Sequence, residues 1–427
     1  MKILNFFKNK EGANASWLIG GKIFQMLISL FVGVLTARYL GPSNYGLINY
    51  ASAYVAFFTS FCTLGINSVI IKDFVDKPED EGEAIGSAIV LRMLSSILSA
   101  VTIVCIVGIV DKNEPLTIAV AGLCALALPF QIFDTINYWF QSKYKSKITA
   151  IATLLAYVIT AAYKIVLLIL GKDVRWFAIA TSIDYVCIAV FLMIAYKRYD
   201  GPKLRFSKEK AKSLLRSSYH YILSGMMIAI YGQTDKMMLK QMLDETAVGY
   251  YSAATAICSM WTFVLNSIIA SIYPTILGLN GKDEGAFNRK NRQLYAIVFY
   301  VSAFVSICFL LFGDLAIKIL YGEEFLPAVT PLKIVTWYTA FAFLGVARDA
   351  WVVCRNKQKY LKYLYCVAAI LNVALNLLLI PVWGAAGAAL ASLITQIFTS
   401  IVLPLFIKDL RENAKLMLES ICLKGVF

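Results

Sequence analysis

Apolar residues run along this chain in stretches of about twenty, separated by short polar connections. Twelve such stretches can be drawn, at 17–38, 45–71, 85–110, 115–141, 148–171, 175–196, 216–239, 247–275, 293–313, 327–353, 360–381 and 384–407. As an α-helix, each is long enough to cross a hydrocarbon layer about 30 Å thick. The strict alternation of an outer-membrane barrel strand is missing. The pattern predicts an all-α membrane protein with about twelve transmembrane helices.

Composition agrees. The 427 residues are 59% hydrophobic with a mean hydropathy of +0.70, against roughly 45–50% apolar for soluble domains. The small-residue run Ala13–Ser16 precedes the first apolar stretch, so the N-terminus is not expected to be a cleavable signal. Nine cysteines form no CxxC pair and fall mostly in apolar stretches, which predicts small buried hydrophobes, not metal ligands or disulfides. A single histidine, His220, cannot build a metal cluster and is expected near the membrane surface.

A net charge of +14 would suit a nucleic-acid partner, but its distribution argues for a membrane instead. With loops assigned alternately, 28 lysines and arginines fall on one side and 6 on the other. The positive-inside rule then places both termini in the cytoplasm. The loop Asp73–Glu83 is acidic yet falls on the cytoplasmic side; acids weigh little in that rule. The segment Gly313–Gly322 is the longest external connection and is read as lying along the interface.

One long polar stretch, Lys197–Arg216, divides the chain into two halves of six helices, 1–205 and 206–427. A shift of 203 residues lays Leu40-Gly-Pro-Ser-Asn-Tyr-Gly46 over Leu243-Asp-Glu-Thr-Ala-Val-Gly249. The stripe Asn49, Ser52, Thr59 and Thr63 then matches Ser252, Thr255, Ser259, Thr262 and Asn266. Ala178-Ile-Ala-Thr-Ser182 is echoed by Ala388-Ala-Leu-Ala-Ser392. An even number of helices per repeat predicts lobes of equal orientation, related by an axis along the membrane normal.

The charges inside the apolar stretches carry the functional signal. Lys22, Arg92, Lys164, Lys236, Lys333 and Arg348 are cations at depth, against the acids Asp134, Asp184, Asp235 and Asp349. A cation near the bilayer centre costs roughly 2.5–3.5 kcal/mol on insertion scales. Snorkelling can relieve Lys236 and Lys333 near their helix ends, and internal ion pairs can relieve others. The surplus that remains points to a cationic cavity for an anionic substrate, held by Lys22, Arg92, Lys164, Lys236 and Arg348. Polar faces beside them, such as Gln131, Asp134, Tyr138 and Gln141 at helical spacing, suit either such a cavity or ordinary helix packing. No GxxxxGK[ST] loop is present, so energy is expected from an ion gradient instead of a nucleotide. Asp134, Asp184 and Asp235 are the ion-coupling candidates, for H+ or Na+; no other cofactor and no metal site is expected.

Several motifs resemble those of bacterial polysaccharide flippases of the O-antigen and capsule type, within the multidrug/oligosaccharidyl-lipid/polysaccharide exporter superfamily. They are Ala37-Arg-Tyr-Leu-Gly-Pro-Ser-Asn-Tyr-Gly46, Asp235-Lys-Met-Met-Leu239, Val248-Gly-Tyr-Tyr-Ser252, Leu320-Tyr-Gly-Glu-Glu-Phe325 with Pro331-Leu-Lys-Ile334, and Pro381-Val-Trp-Gly-Ala-Ala-Gly387. The resemblance implies two six-helix lobes in a V-shaped, MATE-like fold with a central cationic cavity. It further implies a non-enzymatic flippase for a polyprenyl-pyrophosphate-linked oligosaccharide repeat unit, acting in the bacterial cytoplasmic membrane. Membrane lipids, and a polysaccharide polymerase with other assembly proteins, are the partners it implies. An ion-coupled drug or small-solute exporter of the same fold is the alternative, favoured by an acidic or apolar cavity. A polymerase or glycosyltransferase would need acids on a large external loop. A purely structural partner would leave the buried cations unexplained.

Overall fold

A computed structural model describes residues 10–426, with the side chains of residues 10–19, 22, 23, 223 and 224 outside the description. Every regular element among the described residues is helical, and nine segments there are long and apolar enough to cross a membrane. The first helix, α1 (Lys10–Cys62), has 53 residues, which at 1.5 Å each would reach about 80 Å, far beyond one bilayer. It turns a corner at Gly41, whose φ of 69° and ψ of 174° suit a residue without a side chain. Pro42 follows with no N–H to continue the ladder.

By their contacts the residues form two compact units, 1–40 with 47–233, and 41–46 with 234–427. The first unit continues through α2 (Ile70–Asp76), α3 (Glu81–Val110), α4 (Pro115–Ala125), α5 (Leu128–Gln131) and α6 (Asp134–Ser142). It ends with α7 (Ser146–Ile169), α8 (Val174–Ala178), α9 (Ala180–Arg198) and most of α10 (Lys208–Met242). The apolar stretch at 115–141 is thus three helices, because Pro129 cannot donate a backbone bond and the chain leaves α geometry around it. Ile70, Phe74, Ile85, Trp139, Phe140 and Leu192 close a core at the end of this unit that carries the polar segment 197–216.

That segment is fastened down. Arg205 N donates to Gly82 O at 3.1 Å, and a Cβ on Gly82 or Gly86 would stand 2.4 or 2.3 Å from the carbonyl oxygens of Lys203 and Arg205. The two glycines let an extended backbone lie directly on α3. The acidic loop beside it is explained the same way. Lys210 Nζ reaches Asp73 at 2.9 Å and Asp80 at 3.4 Å, while Glu81 accepts from Lys143 at 2.6 Å and from Trp139 Nε1 at 2.8 Å. Burial alone would lower the pKa of Lys210, but the Asp73 and Asp80 carboxylates outweigh it and hold the ammonium above its ordinary range.

The second unit holds α11 (Glu245–Leu279), α12 (Glu284–Leu320), α13 (Val329–Cys354) and α14 (Lys359–Ile397). A π turn over Phe398–Val402 leads to α15 (Leu403–Phe406), and α16 (Arg411–Ile421) ends the fold. Asp244 and Asp283 start α11 and α12 by accepting from the N–H groups of Ala247 and Ala286, each at 2.8 Å. The 39 residues of α14 turn at Gly384, φ 56° and ψ −133°. The expected count of twelve spans is met only when both glycine corners are taken as turns and α10 is added to the nine.

Gly313–Leu320 forms the last turns of α12, with Asp314 facing Lys333. The residues after 407 are packed as well. Leu416 and Met417 of α16 complete a core with Phe287, Leu294, Tyr295 and Trp351, and Asn413 donates to Tyr295 Oη at 2.6 Å.

Residues 41–46 pack within this second unit. A Cβ on Gly46 would stand 1.7 Å from Glu245 O, and one on Gly249 would stand 2.1 Å from Pro42 O. Positions 46 and 249, and 42 and 245, are equivalents under the 203-residue shift. The contact is reciprocal within this unit: each glycine faces the carbonyl of the segment that carries the other. Ser43 Oγ adds a bond to Glu245 Oε1 at 3.1 Å.

Leu98, Ile109, Phe304, Leu311 and Leu378 are all more than 60% exposed. Such apolar surface on long helices is stable only against lipid. This is a multi-pass membrane protein.

Candidate substrate and ion sites

In the first unit, Arg92 is 2% exposed and spends its guanidinium on the break between α5 and α6. It donates to Gln131 O at 3.0 Å, Ile132 O at 3.3 Å and Thr135 Oγ1 at 2.8 Å. Those carbonyls lie at the irregular turn between α5 and α6, where Ile132 O also accepts from Thr135 N at 3.1 Å. A buried guanidinium supplies extra donors to this turn, where backbone carbonyls have no water to bond inside a membrane. Asp134 opens α6 nearby, half-buried, and balances the Arg92 charge electrostatically. This position also suits a carboxylate at a helix N-terminus.

Lys164 is half-buried on α7 and interacts electrostatically with Asp184 of α9. Asp184 accepts from Thr160 Oγ1 at 3.3 Å. Two cavities belong to this unit. One of about 330 Å³ is lined by Ser52, Thr59, Gln131, Thr181 and Tyr185 with Cys124 and apolar walls. The other, about 240 Å³, is lined by Gln25, Asn137, Thr149 and Thr153 among small residues. The polar stripes expected on 45–71 and 115–141 meet in the first.

In the second unit, Asp235 is 6% exposed and is the most heavily bonded acid of the three coupling candidates. Tyr251 Oη, Ser392 Oγ and Asn376 Nδ2 donate to its carboxylate at 2.5, 2.6 and 2.7 Å. Asn372 extends the cluster, accepting from Asn376 and donating to Ser392 Oγ at 3.1 Å. The Oδ1 of Asn376 and the hydroxyls of Ser252 and Thr395 are buried without a partner. Both arms of α14, on either side of the Gly384 corner, converge on Asp235. Lys236 is half-buried beside it and balances its charge.

Arg348 is 4% exposed and donates to Thr399 O at 3.3 Å, inside the π turn that precedes Pro404. It repeats the solution of Arg92: a guanidinium on a carbonyl that an irregular helix has freed. Asp349 lies within electrostatic reach of Arg348. Lys333 is paired with Asp314 at 2.7 Å, so a fifth acid must be added to the four counted in the apolar stretches. The Lys22 side chain lies outside the described residues. The described cations therefore fall into two classes. Arg92 and Arg348 are tied to backbone carbonyls, Lys333 to a carboxylate; Lys164 and Lys236 have an acid nearby but no hydrogen-bonded partner in the described structure.

Asn372, Asn376 and Tyr185 were not anticipated from sequence. The signal for the first two was available: two asparagines four residues apart in an otherwise leucine-rich stretch.

Residues 12–279 match the model of a family described as polysaccharide biosynthesis protein. The chain belongs to that family. Relatives of this chain include a proposed O-antigen transporter of Escherichia coli (strain K12), 23% identical over 90% of this chain and 93% of its own length. A second is the capsular polysaccharide biosynthesis protein CapF of Staphylococcus aureus, 20% identical over 90% of this chain and 96% of its own. The fold is shared with an inward-facing MATE multidrug transporter, at TM-score 0.68 and 17% identity over 92% of this chain and 96% of that one. The lipid II flippase MurJ, in an inward closed conformation, aligns at TM-score 0.68 and 16% identity over 96% of this chain and 91% of its own.

Proposed function

We propose that this family member is a flippase that moves a polyprenyl-pyrophosphate-linked oligosaccharide repeat unit between leaflets of a bacterial cytoplasmic membrane, by alternating access, for surface polysaccharide assembly. The observation that carries this reading is a helical membrane unit of the polysaccharide biosynthesis family that encloses hydroxyl- and amide-lined cavities beside half-buried lysine. The names of the two bacterial relatives, and the lipid-linked cargo named for the flippase that shares the fold, support it. The bias of 28 cations to 6 supports cytoplasmic termini.

The residues divide into roles. Lys164 in the first unit holds the pyrophosphate, with Lys236 the corresponding candidate within the second; no carbonyl or ion pair fully occupies either, and attraction between unlike charges grows several-fold as the local dielectric falls. Lys22 joins them. Arg92 and Arg348 shape the helices around the path instead of gripping the phosphate directly. The Asp235 cluster takes up the coupling H+ or Na+: a carboxylate ringed by side-chain oxygens, some unpartnered, is a site that a small cation or proton can complete. Asp134 and Asp184 are the secondary candidates. Polymerase and other assembly proteins would receive the flipped unit.

Deleting the gene in its source organism tests the reading. Lipid-linked repeat units should accumulate on the cytoplasmic leaflet and surface polysaccharide should fall, both restored by the intact gene. Unchanged glycan with increased drug sensitivity would point to the multidrug-exporter reading of the same fold.

A further inference from the structure

We infer that the 330 Å³ cavity of the first unit is a subsite for one neutral sugar ring of the cargo, separate from the groups that hold pyrophosphate. The inference rests on the flippase reading and adds a specificity site to it. Gln131 lines the cavity and is 5% exposed. Its Oε1 accepts from Thr59 Oγ1 at 3.3 Å, a hydroxyl that also donates to Val55 O at 2.7 Å. Thr181 and Tyr185, both half-buried, line the same cavity as Gln131. Amide and hydroxyl groups that converge on a cavity can bond a polar guest there.

The chemistry of the lining selects the guest. No charged side chain lines this cavity, so it is not a phosphate site. It offers an amide, four hydroxyls and the flat ring of Tyr185 against small apolar walls. A pyranose ring has that composition in reverse: a rim of hydroxyls around apolar C–H faces. Cavities of this size, mostly apolar with a few convergent polar groups, hold small molecules. The location also fits. Cys124 lines the cavity and interacts electrostatically with Lys164, the proposed pyrophosphate contact. In a lipid-linked repeat unit the first sugar is bonded directly to the pyrophosphate, so the two subsites must be neighbours.

The test uses the full-length protein in nanodiscs and two probes. One is the lipid-linked glycan extracted from a source strain lacking the gene; the other is sugar-free polyprenyl pyrophosphate. The wild type should bind the glycan-bearing lipid at least tenfold more tightly. Gln131→Leu and Thr181→Val remove donors at nearly constant volume, and each should reduce that preference by about three- to tenfold, the loss of one hydrogen bond to a polar ligand. Affinity for the sugar-free lipid should not change, and Tyr185→Phe should show a milder loss in the same direction. An unchanged preference in all three variants overturns the subsite, and so does equal weakening toward both probes, which would mean a disturbed fold. Binding of neither lipid by the wild type would overturn the flippase reading itself.

Discussion

Gly46 and Gly249 lie backbone against backbone: a carbon added to Gly46 would stand 2.7 Å from the nitrogen of Gly249. Each also covers the carbonyl of the other's partner segment, at Glu245 and Pro42. Small residues permit such approach in membrane helices, where close packing and backbone contact replace the hydrophobic drive of water. Because each position meets the backbone of the other's segment, one geometric requirement explains a glycine at both.

Alanine at either position should therefore destabilise the protein. Overpacking costs about 1–3 kcal/mol even where side chains can yield, and here the obstacle is backbone. Gly46→Ala, with the closer contact, should be the worse of the two. Gly108, with nothing within 4 Å, is the control and should tolerate alanine. Thermal melting in detergent checks all three.

Much of this was legible in the sequence, and the failures share a cause. Apolar runs located α3 and α7 to within a few residues, and the stripes on 45–71 and 115–141 do meet at one cavity. Charge counting could not show that Arg92 and Arg348 bond to carbonyls, at the turn between α5 and α6 and in the π turn before Pro404; a count of acids cannot register such partners. Lys333, expected to snorkel near its helix end, is met there by Asp314, which α12 carries on to face it. The surroundings of Asp235 come from positions 251, 376 and 392, brought together by a corner at Gly384 that periodicity alone cannot fold.

Arg92 should act through stability. Arg92→Met removes the donors to Gln131 O, Ile132 O and Thr135 Oγ1, of which Ile132 O keeps Thr135 N; a buried polar group left unpaired costs about 1–3 kcal/mol, so the melting temperature and the yield of folded protein should fall. Arg92→Lys should recover only part, because an ammonium cannot span the carbonyls as a planar guanidinium does. A stable Arg92→Met protein with lost substrate binding would return Arg92 to the anion site.

Lys210 should govern the segment 201–207. Lys210→Met leaves Asp73 and Asp80 facing one another, at a cost of about 1–2 kcal/mol after allowing for their partial exposure. Trypsin should then cut faster at Lys203 and Arg205, which are exposed but held on α3. The clamp's pH dependence has a definite sign. Because the Lys210 pKa is raised on folding, its contribution is complete below the ordinary lysine value of 10.5 and is lost as pH rises through the higher folded value. Cutting rates should therefore be flat across neutral pH, provided trypsin activity is corrected for.

Asp235→Asn should uncouple transport. The substitution keeps the size of the side chain but removes the charge that Tyr251, Asn376 and Ser392 surround. Substrate affinity should remain within a few-fold while gradient-driven flipping falls at least tenfold. The matched variants Asp134→Asn and Asp184→Asn should retain coupling; a larger loss at Asp184 would move the ion site to the first unit.

The central claim is most directly tested in proteoliposomes carrying the lipid-linked repeat unit, with an impermeant sugar-oxidising reagent reporting how much glycan faces outward. With purified protein and an imposed H+ or Na+ gradient, the outward fraction should move far from its starting value within minutes, and Lys164→Ala should slow it at least tenfold. An outward fraction that stays the same with and without the protein, under both gradients, would contradict the account.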